Sequence, residues 1–281
     1  GKSIDKVWMP VPDGVEFHLG HNVERIEADE NRIRDDKGDI FTYGALLLAT
    51  GVRPRHVAPN SDRVIAYRTL ADYQRLRGLA DQGKRFAVVG GGFIGSELAA
   101  ALTMNEKEVV LIFPGEEIGG HFYPKDLADF ISKRYRDKGV DLRTSTRTGK
   151  VTEKGDRVIV ELVDGDGNSV GELEVDGLVS GIGSELNVEL AEQAGLPVED
   201  GVMVDRMLRA GRPNIYAAGD IARFYQSSLD QHIRVEHEDN ALKMGKAAGK
   251  AMAGAGEPWA YLPFFYSDLF DMGYEAVGKF D

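Results

Sequence analysis

Residues 85–100 read RFAVVGGGFIGSELAA. An apolar run, RFAVV, has the character of a buried strand, and it runs into glycines at 90, 92 and 95 before an apolar-faced helix opens. The spacing is G-x-G-x-x-G, and each glycine has its own task. Gly90 permits the tight turn, Gly92 lets a pyrophosphate approach the backbone, and Gly95 lets helix and strand pack closely. The helix start adds free N–H donors and positive potential for phosphate. Glycines alone are also compatible with a plain strand-to-helix turn. The context favours a dinucleotide fold, because VVLIF at residues 109–113 supplies a second parallel strand at the expected distance.

Working outward, PKDLADFISKRYRDKGV at 124–140 repeats apolar residues at helical spacing, with Leu127, Phe130, Ile131 and Tyr135 as the expected buried face. TLADYQRLRGLADQG at 69–83 predicts a helix with Thr69 as its N-cap. Residues 148–176 predict strand pairs joined at DGDGN, and GLVSGIG at 177–183 is a further buried strand ending in glycine. Before all this, VEFHLG, VERIEADE and IFTYG predict antiparallel strands around the charged turn NRIRDDKGD. ALLLATG at 45–51 and NIYAAGD at 214–220 are buried strands of a different, parallel kind. RVEHEDNALKMGKAAGKAMAG predicts a long helix whose alanines and glycines permit close approach to a sheet or ligand. WAYLPFFYSDLFDMGYEAVGKF is aromatic and strand-like, the opening of a further domain.

Composition narrows the chemistry. The chain has 281 residues, enough for two cored domains, and a formal charge of −12 with no dense basic run, which argues against nucleic acid as a partner. It contains 0 cysteines, so no disulfide, thiolate nucleophile, Cys-ligated cluster or CxxC pair exists within it. Electrons, if this chain moves them, pass through a bound organic cofactor. The 6 histidines have no metal-site spacing, so no metal is expected. No apolar run is long enough for a membrane span, and no apolar signal core opens the chain, so a cytoplasmic location is expected.

The ribose end of a dinucleotide usually meets an acid just after the second strand. Here Phe113 and Pro114 stand there, followed by Gly115, Glu116 and Glu117. Either glutamate can take the ribose hydroxyls or remain a solvated loop carboxylate. No arginine waits for a 2′-phosphate, so NAD(H) is expected over NADP(H). Glu97, in the first turn of the helix, either serves the helix dipole or reaches over the glycines to the nicotinamide. Phe93 either walls the nicotinamide or fills an interdomain core.

These stretches together resemble the apoptosis-inducing-factor-like branch of the FAD-dependent pyridine nucleotide-disulfide oxidoreductases. VVGGGFIGSELAAAL is similar to that branch's NAD motif, IFPGEEIGG to its second-strand loop and ATGVRP to its crossover. NIYAAGDIARFY resembles its flavin Gly-Asp motif, RVEHEDNA its flavin-facing helix start, and YLPFFYSDLFDMGYEAVG its third-domain opening. The resemblance covers nearly the whole chain, in the family's order.

It implies an α/β architecture with two dinucleotide-binding domains. The expected segments are 1–61 with 181–258 for a partial FAD-binding domain, 62–180 for an NAD-binding Rossmann-like domain, and 259–281 for the start of an interface domain. The family's first G-x-G-x-x-G, which binds the FAD pyrophosphate, is not in this sequence. Weak or absent FAD retention is therefore expected of these 281 residues alone. Carried over, the resemblance places Thr50, Gly51, Gly219 and Asp220 at FAD and Gly183 under the NAD adenosine. Phe93, Glu97, Glu236 and His237 frame the nicotinamide against the flavin, with Phe265 and Tyr266 near the far cofactor face. His237 alternatively serves only as a helix-terminus histidine. Two departures stand out. Gly115 occupies the place where the family carries its acid after Phe-Pro, which shifts the ribose acid to Glu116. GSELN at 183–187 replaces Gly-x-x-Pro-Asn, which is expected to loosen that turn.

The implied activity is hydride transfer from NADH to FAD, then electron delivery to a quinone, a ferredoxin-like protein or oxygen, in a possible homodimer. Two other readings stay open. The chain can be an NAD(H)-binding sensor or interaction module without turnover, with FFYSDLFDMGY as an interface strand. It can also be a plain NAD-linked dehydrogenase with His237 as base, though the Gly-Asp strand then has no use.

Overall fold

The computed structural model describes residues 8–278, so the outermost ends of the first and last expected segments lie outside the described residues. An antiparallel meander comes first, with strands β1 (Val23–Glu27), β2 (Arg32–Asp35) and β3 (Ile40–Thr42). The expected strand VEFHLG does not form. Its residues 15–20 have no ladder partner, and the supposed charged turn holds β2 instead. The real connection is a short 3-10 turn at Ala28–Glu30, closed by Asn31 in the left-handed region at φ 50°. Arg32, Ile33 and Arg34 can then sit on a half-exposed ribbon, where charge is compatible with a strand.

Strands β4 (Leu46–Leu48) and β5 (Val52–Pro54) follow, and then the central sheet begins. β6 (Val64–Ala66) leads to helix α1 (Leu70–Gln82), β7 (Arg85–Val89), α2 (Phe93–Met104), β8 (Glu108–Ile112), α3 (Lys125–Asp137) and β9 (Asp141–Arg143). A second meander, β10 (Arg147–Lys154), β11 (Arg157–Val163) and β12 (Ser169–Val175), precedes β13 (Gly177–Ser180). The five-stranded sheet has the order β6-β13-β7-β8-β9, and every neighbouring pair is parallel.

Alternation along β7 explains why this sheet is covered on both faces. Phe86 and Val88 pack with Leu76 of α1, Leu98 and Leu102 of α2, and Ile131 and Tyr135 of α3. Ala87 and Val89 face the other way, onto Val158, Val160, Leu162, Leu173 and Val175 of the meander. Each of these side chains removes apolar surface that stabilises the fold by about 1.5–3 kcal/mol for a fully buried large residue. On α3 the expected apolar face is rotated. Ile131 and Tyr135 are buried, with Ala128 and Ser132 beside them, whereas Leu127 and Phe130 are exposed. Small residues close to the sheet set the helix face, a preference that apolar spacing does not report.

Two local chemistries hold the frame. Thr69 caps α1 as expected, accepting from the Asp72 N–H while Asp72 accepts from the Thr69 N–H. Asp164 nucleates the expected β11–β12 turn, its carboxylate accepting the N–H groups of Asp166 and Asn168.

Beyond the central sheet come β14 (Ser184–Leu186), α4 (Glu189–Gln193), β15 (Val198–Glu199), β16 (Gly201–Val204), β17 (Ile215–Ala217), β18 (Ala222–Gln226), β19 (Gln231–Arg234) and α5 (Glu238–Met252). β17 pairs in parallel with β4, so the two apolar stretches ending in ATG and GD lie side by side. A separate core gathers around them from Ile26, Leu48, Val202, Ile215, Ile221, Phe224 and Met244. On α5 the packing is done by Met244, Ala248 and Ala251, while Gly245 and Gly249 face open space. The glycines expected to permit close approach therefore make none to the described residues. The hairpin β20 (Phe264–Leu269) and β21 (Met272–Val277) completes the described chain. Among the described residues no helix is long and apolar enough to cross a membrane.

Candidate functional site

The three glycines of the turn differ in the space around them. A Cβ at Gly95 would lie 1.9 Å from the Gly90 carbonyl, and one at Gly90 would lie 2.3 Å from the Gly181 carbonyl. Both positions are closed to any side chain, and Gly90 also holds φ 118°. Gly92 is the opposite case, since a Cβ there meets nothing within 4 Å. Gly92 is also the N-cap of α2 and brings no side chain to the first N–H groups. The turn thus leaves backbone donors facing open space, which fits the phosphates of a dinucleotide.

Beside the turn lies a cleft of about 610 Å³, lined by Gly91, Phe113, Glu116, Glu117, His121 and Lys125 among others. Glu117 is drawn to Arg136 at 3.6 Å, and Lys125 to Asp129 at 3.0 Å. Glu116 is exposed with no such partner among the described residues, so of the two loop carboxylates it is the one free to meet a ribose.

Glu97 points from α2 toward the hairpin, where the Ser267 hydroxyl donates to its Oε1. Around it stand Tyr67, Tyr123, Tyr135 and Tyr274. Burial first, with the Glu97 charge adding to it, pushes all of these phenols above the ordinary tyrosine range. They stay neutral donors at any working pH. Phe93 stacks on Phe122 at 4.4 Å and meets Tyr123 edge-on at 6.3 Å. Its ring therefore belongs to an aromatic group inside the central-sheet domain.

The second set of residues gathers at the ends of β4 and β17. Thr50 donates to the Asn187 carbonyl at 2.6 Å, and Asn187 returns a side-chain bond to the Thr50 carbonyl at 2.8 Å. β14 pairs antiparallel with β5 through Ser184, Glu185 and Leu186. The turn without proline is laced to the crossover by its neighbours, with the Asn187 N–H donating to the Gly51 carbonyl at 3.1 Å. Gly183 takes φ 93°, and its carbonyl accepts from Arg55 N–H at 3.0 Å. Gly219 takes φ 77°, and Asp220 is paired with Arg68 at 3.1 Å. Glu236 accepts from Ser184 at 2.8 Å and from Arg234 at 2.6 Å.

His237 is the N-cap of α5, its Nδ1 accepting from the Asp239 N–H at 3.2 Å. Its Nε2 lies 3.3 Å from the Tyr266 carbonyl oxygen and 3.4 Å from the Tyr266 nitrogen. The ring packs edge-on against Tyr266 at 4.7 Å and Phe265 at 5.4 Å. These groups fit the ribityl and ring portions of a flavin dinucleotide, with Arg68 paired to the Asp220 carboxylate and Arg234 donating to the Asp220 carbonyl at 3.1 Å.

Strand β20 joins the two sets. Successive residues of a strand face opposite ways, so Tyr266 turns to His237 while Ser267 turns to Glu97. Arg68, His121, Ser267, Tyr123 and Tyr274 escaped the sequence reading. Only their placement marks them, since a lone arginine, serine or tyrosine carries no spacing signal. His21, Asp35 and Asp39 also bring oxygen and nitrogen atoms within 4.8 Å of one another. The Asp35 carboxylate is already engaged there by His21 and by the N–H groups of Lys37 and Asp39, which makes this a turn clasp.

Fold and site together define a two-domain α/β dinucleotide-binding reductase architecture. The sequence matches the pyridine nucleotide-disulphide oxidoreductases over residues 6–245, and the chain belongs to that family. The ferredoxin–NAD(+) reductase component of the anthranilate 1,2-dioxygenase system of Burkholderia cepacia is 34% identical, over 98% of this chain and 67% of that protein. Mitochondrial apoptosis-inducing factor 1 of Dictyostelium discoideum is 32% identical, over 94% of this chain and 52% of that protein. Among solved structures, the covalent putidaredoxin reductase–putidaredoxin complex superposes with a TM-score of 0.85 at 30% identity, covering 92% of this chain and 63% of the other. The chain thus spans between about half and two thirds of these relatives.

Proposed function

We propose that the chain holds NADH across the Gly90 turn and the Glu116 cleft, with the nicotinamide directed to Glu97, and passes its hydride to a flavin dinucleotide. The observation that carries this reading is the meeting of α2 and α5 at one strand, with Glu97 and His237 held by neighbouring residues of β20. FAD supplies, when bound, the two-electron acceptor that a chain with 0 cysteines lacks.

This chain's own residues contribute position, dryness and charge. N–H groups at the start of α2 take the pyrophosphate, Glu116 takes the ribose hydroxyls, and Glu97 accepts from the carboxamide. Asp220 accepts from ribityl hydroxyls, and Arg68 neutralises phosphate charge next to it. Thr50, Gly51 and Gly219 leave room along the strand ends, Gly183 underlies the adenosine, and Glu236 and His237 stand beside the flavin ring. Phe93, Phe265 and Tyr266 keep water from the transfer zone. Hydride transfer needs two flat rings in contact and no acid from the protein.

Residues 1–61 and 181–258 would carry the flavin side, 62–180 the nicotinamide side, and 259–281 the start of the interface domain. We assign the chain to the apoptosis-inducing-factor-like branch, on IFPGEEIGG, RVEHEDNA and the likeness to the Dictyostelium protein. A ferredoxin-like protein is our choice of acceptor, because the Burkholderia relative is named as a ferredoxin–NAD(+) reductase component.

Anaerobic stopped-flow of the flavin-loaded protein tests the reading. NADH is expected to bleach the flavin absorbance with a transient charge-transfer band, and a ferredoxin is expected to restore it faster than a quinone or oxygen does. Unchanged flavin absorbance after NADH would overturn it.

A further inference from the structure

The contact between Ser267 and Glu97 is one end of a longer chain of hydroxyls. Ser267 is only 3% exposed, so its bond is sheltered from water. Directly opposite it in the hairpin register stands Tyr274, whose hydroxyl interacts with the Ser267 hydroxyl. Tyr123, at the edge of the NADH cleft, donates to the Tyr274 hydroxyl at 2.5 Å. From the cleft inward, Tyr123 donates to Tyr274, Tyr274 stands across the hairpin from Ser267, and Ser267 donates to the carboxylate.

A glutamate near the start of a helix would ordinarily sample several rotamers, and ordering it would weaken any ligand that required one of them. Here Oε1 is fixed in advance, and Oε2 has no hydrogen-bond partner among the described residues. We propose that Ser267 and Tyr274 are positioning residues for the nicotinamide end of NADH, holding Glu97 so that Oε2 faces the carboxamide N–H. The proposal rests on the reading that α2 binds NADH. It adds that the hairpin, which lies outside the central sheet, sets the geometry at its glycine turn.

The test compares two ligands that share every contact except the nicotinamide. NADH and ADP-ribose are titrated by calorimetry into the 281-residue chain and into its Ser267→Ala, Ser267→Thr and Tyr274→Phe variants. The dihydronicotinamide emission reports the environment of the ring. Ser267→Ala and Tyr274→Phe are expected to weaken NADH about tenfold and leave ADP-ribose unchanged, with a loss of the bound-state emission. Ser267→Thr keeps the hydroxyl and is expected to restore both. Tyr274→Phe keeps the packed ring, so it decides the matter should Ser267→Ala fail to fold. A variant that weakens both ligands equally, or neither, overturns the positioning role while leaving the binding site standing. A wild-type chain that binds neither ligand overturns the NADH reading, and the positioning role with it.

Discussion

At the scale of single residues, the glycines of the turn separate folding from binding. Gly95→Ala drives a Cβ to 1.9 Å from a backbone oxygen that cannot move aside, and is expected to cost about 3 kcal/mol in a denaturant titration. Gly92→Ala meets open space and keeps an ordinary backbone at φ −87°, so it is expected to cost no more than the loss of a favoured N-cap residue, about 1 kcal/mol. The same methyl stands where phosphate would approach, and calorimetry is expected to show NADH weakened by more than about tenfold. Glu116→Arg replaces the free carboxylate of the cleft with a phosphate-binding fork. The NADPH-to-NADH affinity ratio is expected to rise by about tenfold. The spacing alone distinguished these glycines. It offered both Glu116 and Glu117, and the resemblance favoured Glu116; Arg136 engages Glu117 from α3 and leaves Glu116 without an ion pair among the described residues.

At the scale of elements, legibility followed how local the cause was. Thr69 and Asp72 satisfy each other across three residues, so the start of α1 was readable. Thr69→Ala is expected to cost about 1 kcal/mol, checked by thermal melting. The β11–β12 turn was readable for the same reason, because Asp164 bonds its own neighbours. β2 was missed because its charged residues are tolerated only by partners on two flanking strands. The exposed placement of Leu127 and Phe130 was missed because the small residues Ala128 and Ser132 lie against the sheet. The hairpin β20–β21 was read as aromatic and strand-like, yet nothing in its sequence says that one face meets α5 and the other α2.

At the scale of the whole molecule, Asp176 pins β7 to the meander. It accepts from the N–H groups of Lys84 at 2.7 Å and Arg85 at 2.8 Å and pairs with Arg157. Burial works against its charge, but those bonds outweigh it and hold the carboxyl below the usual aspartate range. The unfolded chain therefore binds the proton first on acidification. The stabilisation is complete above the ordinary carboxylate value and disappears as pH falls through the lower folded one. Asp176→Asn is expected to lose about 2 kcal/mol at neutral pH and to converge on wild type as pH falls below the ordinary aspartate range, measured by urea unfolding across that window. By itself the sequence determined what depends on near neighbours and on period: the parallel strands, the glycine turn, the helix caps and a chemistry without thiols. Only the tertiary structure decided which carboxylate is free, which face of α3 is buried, and that β20 holds Glu97 and His237 from its two sides. Those outcomes depend on contacts between residues as much as 170 positions apart, which no local pattern encodes.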